Sequence, residues 1–334
     1  MRGVGILVGS SVFPWSVALI LASCLATSIG CGPPLGEDGE NNGAEGSPPP
    51  SSDSPRSPIV HGGGECPLAA DLVLVLDISS SMGFLTEILD RELDGIVEEA
   101  NRAGRSTRFG LIPFVDNYRI DMTGNLASGR VHTTSHGLRR AVQYYRRNYT
   151  GTNRNPGDGI SGPAKQNPLC EENALDALHA AAEEFPWRSY AGRIVVVATD
   201  DTFLENPDNY GDRDSDGDTS SKDFPTEGNY PARRTLSETV RALRDRNARV
   251  FSITRLAPPA ASDKTAPRCA GDRRLSRSAV SDGWSTPYKG QPPIPEQLGG
   301  RNYDLDEVRK GNLSLSRTLL DVVAAGGVCA LAGD

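Results

Sequence analysis

The stretch Asp71-Leu72-Val73-Leu74-Val75-Leu76-Asp77-Ile78-Ser79-Ser80-Ser81-Met82 decides the reading of this chain. Residues 72–76 form an unbroken apolar run that includes β-branched Val73 and Val75, which is the pattern of a short strand covered on both faces. The run stops at a carboxylate, and hydroxyls follow at alternate positions, so Asp77, Ser79 and Ser81 share one turn. From Met82 to Ala103, Leu85, Ile88, Leu89, Leu93, Ile96, Val97 and Ala100 recur at helical spacing, as on the buried stripe of an amphipathic helix. A buried strand, a polar turn and a helix in that order begin an α/β unit.

The same alternation continues along the chain. Strands are expected at Phe109–Val115, Arg193–Thr199, Arg249–Thr254 and Gly300–Leu305, and helices at Gly137–Arg147, Asn173–Phe185, Thr235–Arg246 and Leu315–Ala325. This predicts an α/β fold, a doubly wound and mostly parallel sheet flanked by helices, with long loop insertions at 201–231 and 256–298. Ligands of such sheets bind outside the carboxyl ends of the strands. Asp77 stands at one such end. Hard oxygen ligands that are few and leave room for water suit Mg²⁺, with Mn²⁺ or Ca²⁺ as alternatives. The competing reading is a serine-rich helix cap with no ion.

The 334 residues carry 43 acids against 35 bases, a net charge of −8, which disfavours nucleic acid as a partner. The acids are unevenly placed. Residues 200–231 hold ten acids and two bases, and residues 32–65 hold six acids and one base, so these two segments carry the whole anionic character.

After Arg2 the chain runs uncharged to Ala22, with the apolar patch Val17-Ala18-Leu19-Ile20-Leu21-Ala22. Residues 1–31 read as an export signal. Leu21-Ala22-Ser23-Cys24 resembles a bacterial lipobox, and Ser28-Ile29-Gly30-Cys31 is a second candidate, so Cys24 or Cys31 is the expected lipidation site. Plain cleavage and an uncleaved span are the other readings; Pro14 and the Gly and Ser residues argue against a long spanning helix. In residues 32–65, twenty of 34 are Gly, Pro or Ser, too little apolar surface to offset ordering entropy. As a flexible coil this tether would span roughly 30 Å. The folded domain is then 66–334, displayed from a bacterial cell envelope and membrane-attached through the lipid.

The Asp77-x-Ser79-x-Ser81 pattern resembles the metal-ion-dependent adhesion site of the von Willebrand factor A domain. The likeness extends to Arg108-Phe109-Gly110-Leu111-Ile112-Pro113-Phe114-Val115-Asp116, to Val197-Ala198-Thr199-Asp200 and to Gly299-Gly300-Arg301-Asn302-Tyr303-Asp304-Leu305. The resemblance implies that Asp200 completes the site from a third loop. No threonine stands at the usual second-loop spacing; instead Glu172-Asn173-Ala174-Leu175-Asp176-Ala177-Leu178 is similar to the integrin β-subunit version, which implies Glu172 as a ligand. Gly83 and Phe84 replace the aspartates that would hold an adjacent ion in that version. Three carboxylates around a dication imply tighter ion retention and a weaker pull on a partner's carboxylate than in threonine-type sites. The family architecture also pairs the cysteines left after export, as Cys66–Cys329 opposite the metal face and Cys170–Cys269 on it. Closing the longer loop would stabilise by about 2–5 kcal/mol.

Within the first acidic segment, Asp212, Asp214 and Asp216 fall at positions 1, 3 and 5 of a loop with Gly217 at 6, Asp218 at 7 and Asp223 at 12. That is the EF-hand pattern, with Asp in place of the closing Glu. A Ca²⁺ loop inserted in another fold is expected, against a merely solvated acidic loop.

Enzyme signatures are weak. A phosphatase of the haloacid-dehalogenase kind would need a second acid where Ser79 stands, and there is no Gly-x-Ser-x-Gly elbow or phosphate loop. His132 and His136 lie in a Gly- and Ser-rich stretch and read as solvated rather than zinc-binding. The expectation is a non-enzymatic adhesion module that binds a protein ligand through an acidic side chain completing the metal. The alternatives are a Ca²⁺-stabilised structural envelope protein and a metal-dependent phosphohydrolase.

Overall fold

The computed structural model describes residues 69–102, 106–125, 129–157, 166, 171–206, 232–256 and 280–326. The export segment with Cys24 and Cys31, the tether, the four cysteines Cys66, Cys170, Cys269 and Cys329, and the acidic loop from Asp212 to Asp223 all lie outside these residues.

The elements run β1 (Ala69–Asp77), α1 (Gly83–Arg102), β2 (Ser106–Phe114), α2 (Ser135–Asn148), α3 (Ala174–Glu183), β3 (Gly192–Ala198), α4 (Leu236–Asp245), β4 (Ala248–Thr254), α5 (Ile294–Gln297), β5 (Asn302–Asp304), α6 (Leu305–Lys310) and α7 (Leu315–Gly326). A 3-10 turn, Ser80–Met82, joins β1 to α1. The five strands form one parallel sheet in the order β2-β1-β3-β4-β5. The chain steps outward from β1 to β2, then crosses to the other side of β1 to lay down β3. The crevice between β1 and β3 is therefore the topological switch point, where sheets of this order bind ligands.

Strand alternation sorts the core. Leu72, Leu74 and Leu76 face one layer, packed with Leu85, Leu89 and Leu93 of α1, Leu138 and Val142 of α2, and Leu319 and Val322 of α7. Val73 and Val75 face the other, with Leu175 and Leu178 of α3 and Val240 and Leu243 of α4. A central strand buried on both faces is why β1 shows no polar alternation. Two glycines of the sequence signature are steric requirements. A Cβ on Gly110 would strike the Phe185 ring, and one on Gly300 would strike the Val250 carbonyl.

The far end of the sheet is closed by Asp71, which is fully buried. Its carboxylate accepts from Arg108 Nε at 2.9 Å and Nη2 at 2.8 Å, and from Arg188 N and Nε, both at 2.8 Å. Burial works to raise its pKa, but the hydrogen bonds of the two arginines hold it below the ordinary aspartate value.

Beyond β2, residues 118–125 and 129–132 fold back along its outer edge. Arg119 N donates to the Pro113 carbonyl at 3.1 Å, Asp121 N to Leu111 at 2.9 Å, and Phe109 and His132 bridge in antiparallel fashion. Here one expectation is corrected: His132 is not solvated. It is buried, with Nε2 2.6 Å from Asp121 Oδ2; the Gly and Ser content around it reflects the tightness of the fold-back, not exposure. His136 is exposed, as expected.

The expected insertion 256–298 is described at 256 and 280–298, and its later part is anchored to the core: Trp284 and Ile294 are fully buried beside α4, and Pro292-Pro293 leads into α5. Gly and Pro residues dilute the apolar pattern there, so no period signals packing. No helix among the described residues is long and apolar enough to cross a membrane.

Candidate metal centre

Asp77 is the last residue of β1 and has no solvent exposure. Its two carboxylate oxygens are already directed: Oδ1 accepts from Ser79 N at 2.7 Å and Oδ2 from Thr199 Oγ1 at 2.9 Å. The first bond folds the chain over the strand end into the 3-10 turn. The turn brings the two alternate hydroxyls together, Ser79 Oγ and Ser81 Oγ being 3.0 Å apart. Ser81 Oγ donates to Asp200 Oδ1 at 3.0 Å, joining the turn after β1 to the loop after β3. Since a hydroxyl has one proton, Ser81 spends its proton on Asp200 and receives that of Ser79, giving a chain Ser79 to Ser81 to Asp200 across the switch point.

Glu172 enters from a third direction. Its N–H donates to the Thr202 carbonyl at 3.4 Å and its carbonyl accepts from Leu204 N at 3.2 Å, a parallel bridge that stitches the approach to α3 onto the segment after Asp200. The next residue ties the same point to β2: Asn173 N donates to the Val115 carbonyl at 2.8 Å, and Asn173 Nδ2 to the Asp116 carbonyl and to Asp176 Oδ2. Three loops therefore meet at the carboxyl end of the sheet.

The electrostatics follow from this convergence. Burial and the charge of Asp200 push Asp77 up to about 7, against hydrogen bonds from Ser79 and Thr199 that favour the anion. Burial, then the charges of Asp77, Asp116, Asp200 and Asp201, push Glu172 well above the ordinary carboxylate range. Carboxylates that cannot all ionise together leave a deficit of positive charge. Part of it is met by Arg255, buried just past β4, whose Nη2 lies 3.2 Å from Asp200 Oδ2 and whose Nε lies 3.9 Å from Asp306 Oδ1.

The expected residues Asp77, Ser79, Ser81 and Asp200 are thus joined by hydrogen bonds, and Glu172 shares their electrostatic field. Among the described residues, no group of three or more His, Cys, Asp or Glu side chains is placed to hold a metal ion; in this arrangement the two serine hydroxyls have to supply part of any ligand set. Sequence reasoning missed Arg255, a lone basic residue after a strand whose partner lies 55 positions upstream. It also missed that Asp116 is buried, its carboxylate held by Asn155 Nδ2 at 2.9 Å.

No protein-family model matches the chain, and no curated protein matches it. Among solved structures it is similar to an aerotolerance-related membrane protein from Bacteroides fragilis NCTC 9343, at 12% identity and a TM-score of 0.39, over 76% of this chain and 98% of that one. It is also similar to BatB, a conserved hypothetical protein from Bacteroides thetaiotaomicron, at 12% identity and a TM-score of 0.35, over 75% of this chain and 98% of that one. A third is proximal thread matrix protein 1 from the mussel byssus, at 12% identity and a TM-score of 0.39, over 78% of this chain and 49% of that one. The α/β assignment rests on the five-stranded parallel sheet itself.

Proposed function

We propose that this chain is an exported envelope lipoprotein whose von Willebrand factor A-like domain binds a divalent cation at the β1/β3 switch point and recognises a protein partner through it. The carrying observation is the Ser79, Ser81, Asp200 hydroxyl–carboxylate chain beside two acids, Asp77 and Glu172, whose pKa values are raised by burial and mutual repulsion. Hard oxygen donors with uncompensated negative charge suit Mg²⁺ or Mn²⁺. Asp77, Ser79, Ser81, Glu172 and Asp200 would hold the ion, and the ion would supply a coordination position for a partner's carboxylate.

Arg255 alters the charge balance expected from the sequence. Asp77, Glu172 and Asp200 against a dication leave one negative charge, and the guanidinium on Asp200 cancels it. An acidic side chain then approaches a neutral centre rather than an anionic one, which supports ligand recognition at some cost in ion retention. The Asp212–Asp223 segment is proposed as a separate Ca²⁺ loop, and the domain as non-enzymatic.

Titration calorimetry with MnCl₂ and MgCl₂ tests the centre: saturable binding by the parent and none by Asp77→Ala is expected. Partner capture from envelope extract should be lost with chelator and with Asp77→Ala. Absence of saturable binding by the parent, or capture indifferent to both treatments, refutes the reading and favours a structural envelope role.

A further inference from the structure

We propose that the cleft between α2 and the fold-back along β2 is a binding site for a phosphate monoester, separate from the β1/β3 centre and sharing no residue with it. The cleft encloses about 390 Å³, within the range of small-ligand sites. Each wall contributes an arginine: Arg119 from the fold-back and Arg140 from α2. On α2, His136, Arg140 and Tyr144 follow one another at four-residue intervals, so one helical face lines the cavity with a histidine, an arginine and a tyrosine.

The charge in this cleft is unbalanced. Asp121 is its one lining acid, and that carboxylate is already engaged. Oδ2 lies 2.6 Å from His132 Nε2 and accepts from Thr123 Oγ1 at 3.0 Å, while Oδ1 accepts from Tyr145 OH at 3.4 Å. Neither Arg119 nor Arg140 makes an ion pair among the described residues, whereas Arg139 and Arg146 on the same helix are paired with Asp90. Two arginines lining one concavity whose single carboxylate is already engaged are matched by an oxyanion with several acceptor oxygens, and guanidinium geometry favours phosphate. Tyr144 is 49% exposed at the rim, where its ring gives an organic substituent an apolar face. The ligand chemistry is therefore a phosphate dianion carrying a planar or apolar group. A soluble ester and a lipid headgroup both offer it.

The test uses the full chain with two probes: phenyl phosphate by titration calorimetry, and vesicles of phosphatidylcholine with or without phosphatidic acid by co-sedimentation. Saturable binding to at least one probe is expected, weakened tenfold or more by Arg119→Gln and by Arg140→Gln. Arg147→Gln, which removes the same charge from α2 outside the cavity, should bind as the parent does. Phenyl phosphate binding identifies a soluble ester as sufficient; binding to phosphatidic acid vesicles alone identifies a headgroup. Circular dichroism melts establish that both variants fold. No saturable binding to either probe, or equal weakening by Arg147→Gln, overturns the proposal.

Discussion

Arg255 Nη2 lies 3.2 Å from Asp200 Oδ2, both side chains almost fully buried, so the aspartate delivered by β3 to the switch point carries a built-in counter-charge. A cation entering the site meets that guanidinium at close range, and in a partly buried setting their repulsion is worth several kcal/mol. Arg255→Gln should therefore bind Mn²⁺ at least tenfold more tightly by titration calorimetry. In chelator the same variant should lose about 3 kcal/mol of stability in urea melts, because a buried charge is left without its partner. Unchanged ion affinity would show that Arg255 acts on the fold alone.

Asp77 sets a pH dependence. Its pKa rises from the ordinary value of 3.8 to about 7 in the folded chain. An acid whose folded pKa is raised contributes stability below its unfolded pKa and loses it as pH climbs through the folded one. The metal-free chain should consequently lose several degrees of Tm between pH 4.5 and pH 7.5. Asp77→Asn should flatten this fall, and saturating Mn²⁺ should reverse it by taking the proton's place. Tm profiles in chelator and in MnCl₂ read all three.

At the other end of the sheet, Asp71 fixes β1 to β2 and to the segment after α3 through Arg108 and Arg188. Asp71→Asn leaves two guanidiniums facing an amide in a buried place, which should cost about 3–5 kcal/mol. Because this network lies at the opposite strand end from the switch point, ion affinity of the folded variant should be unchanged. Urea denaturation and calorimetry separate the two effects.

Trp284 supports the loop that carries Asp200. Its Nε1 donates to the Asp201 carbonyl at 2.9 Å and its ring packs edge-on against Phe203, with centroids 5.4 Å apart. Trp284→Phe keeps most of the packing and removes the donor, so a loss of about 1–3 kcal/mol is expected. Mn²⁺ affinity should fall as well, because the loop loses the bond that aims it. A stability loss with unaltered affinity would limit Trp284 to the core.

Legibility followed how local each cause was. β1 and β3 could be read because two-sided burial leaves an uninterrupted apolar run, and each observed strand end lies within three residues of expectation. α2 starts at Ser135, two residues before the periodic pattern, because Thr134 caps it by accepting from Gly137 N. α5 and α6 escaped notice since four and six residues cannot display a helical period. Asp77, Ser79 and Ser81 were visible as a motif within one turn. Arg255 and the burial of His132 were not, because each depends on a partner that only the tertiary fold supplies.

The fold-back of residues 118–125 and 129–132 has a consequence for crowding. It occupies the hydrogen-bonding groups along β2 that would otherwise be an open sheet edge, while β5 at the opposite edge is only three residues long. Among the described residues, neither side of the sheet offers another strand a long template. Copies of this domain brought to high local density are thereby protected from associating edge to edge into extended β-structure.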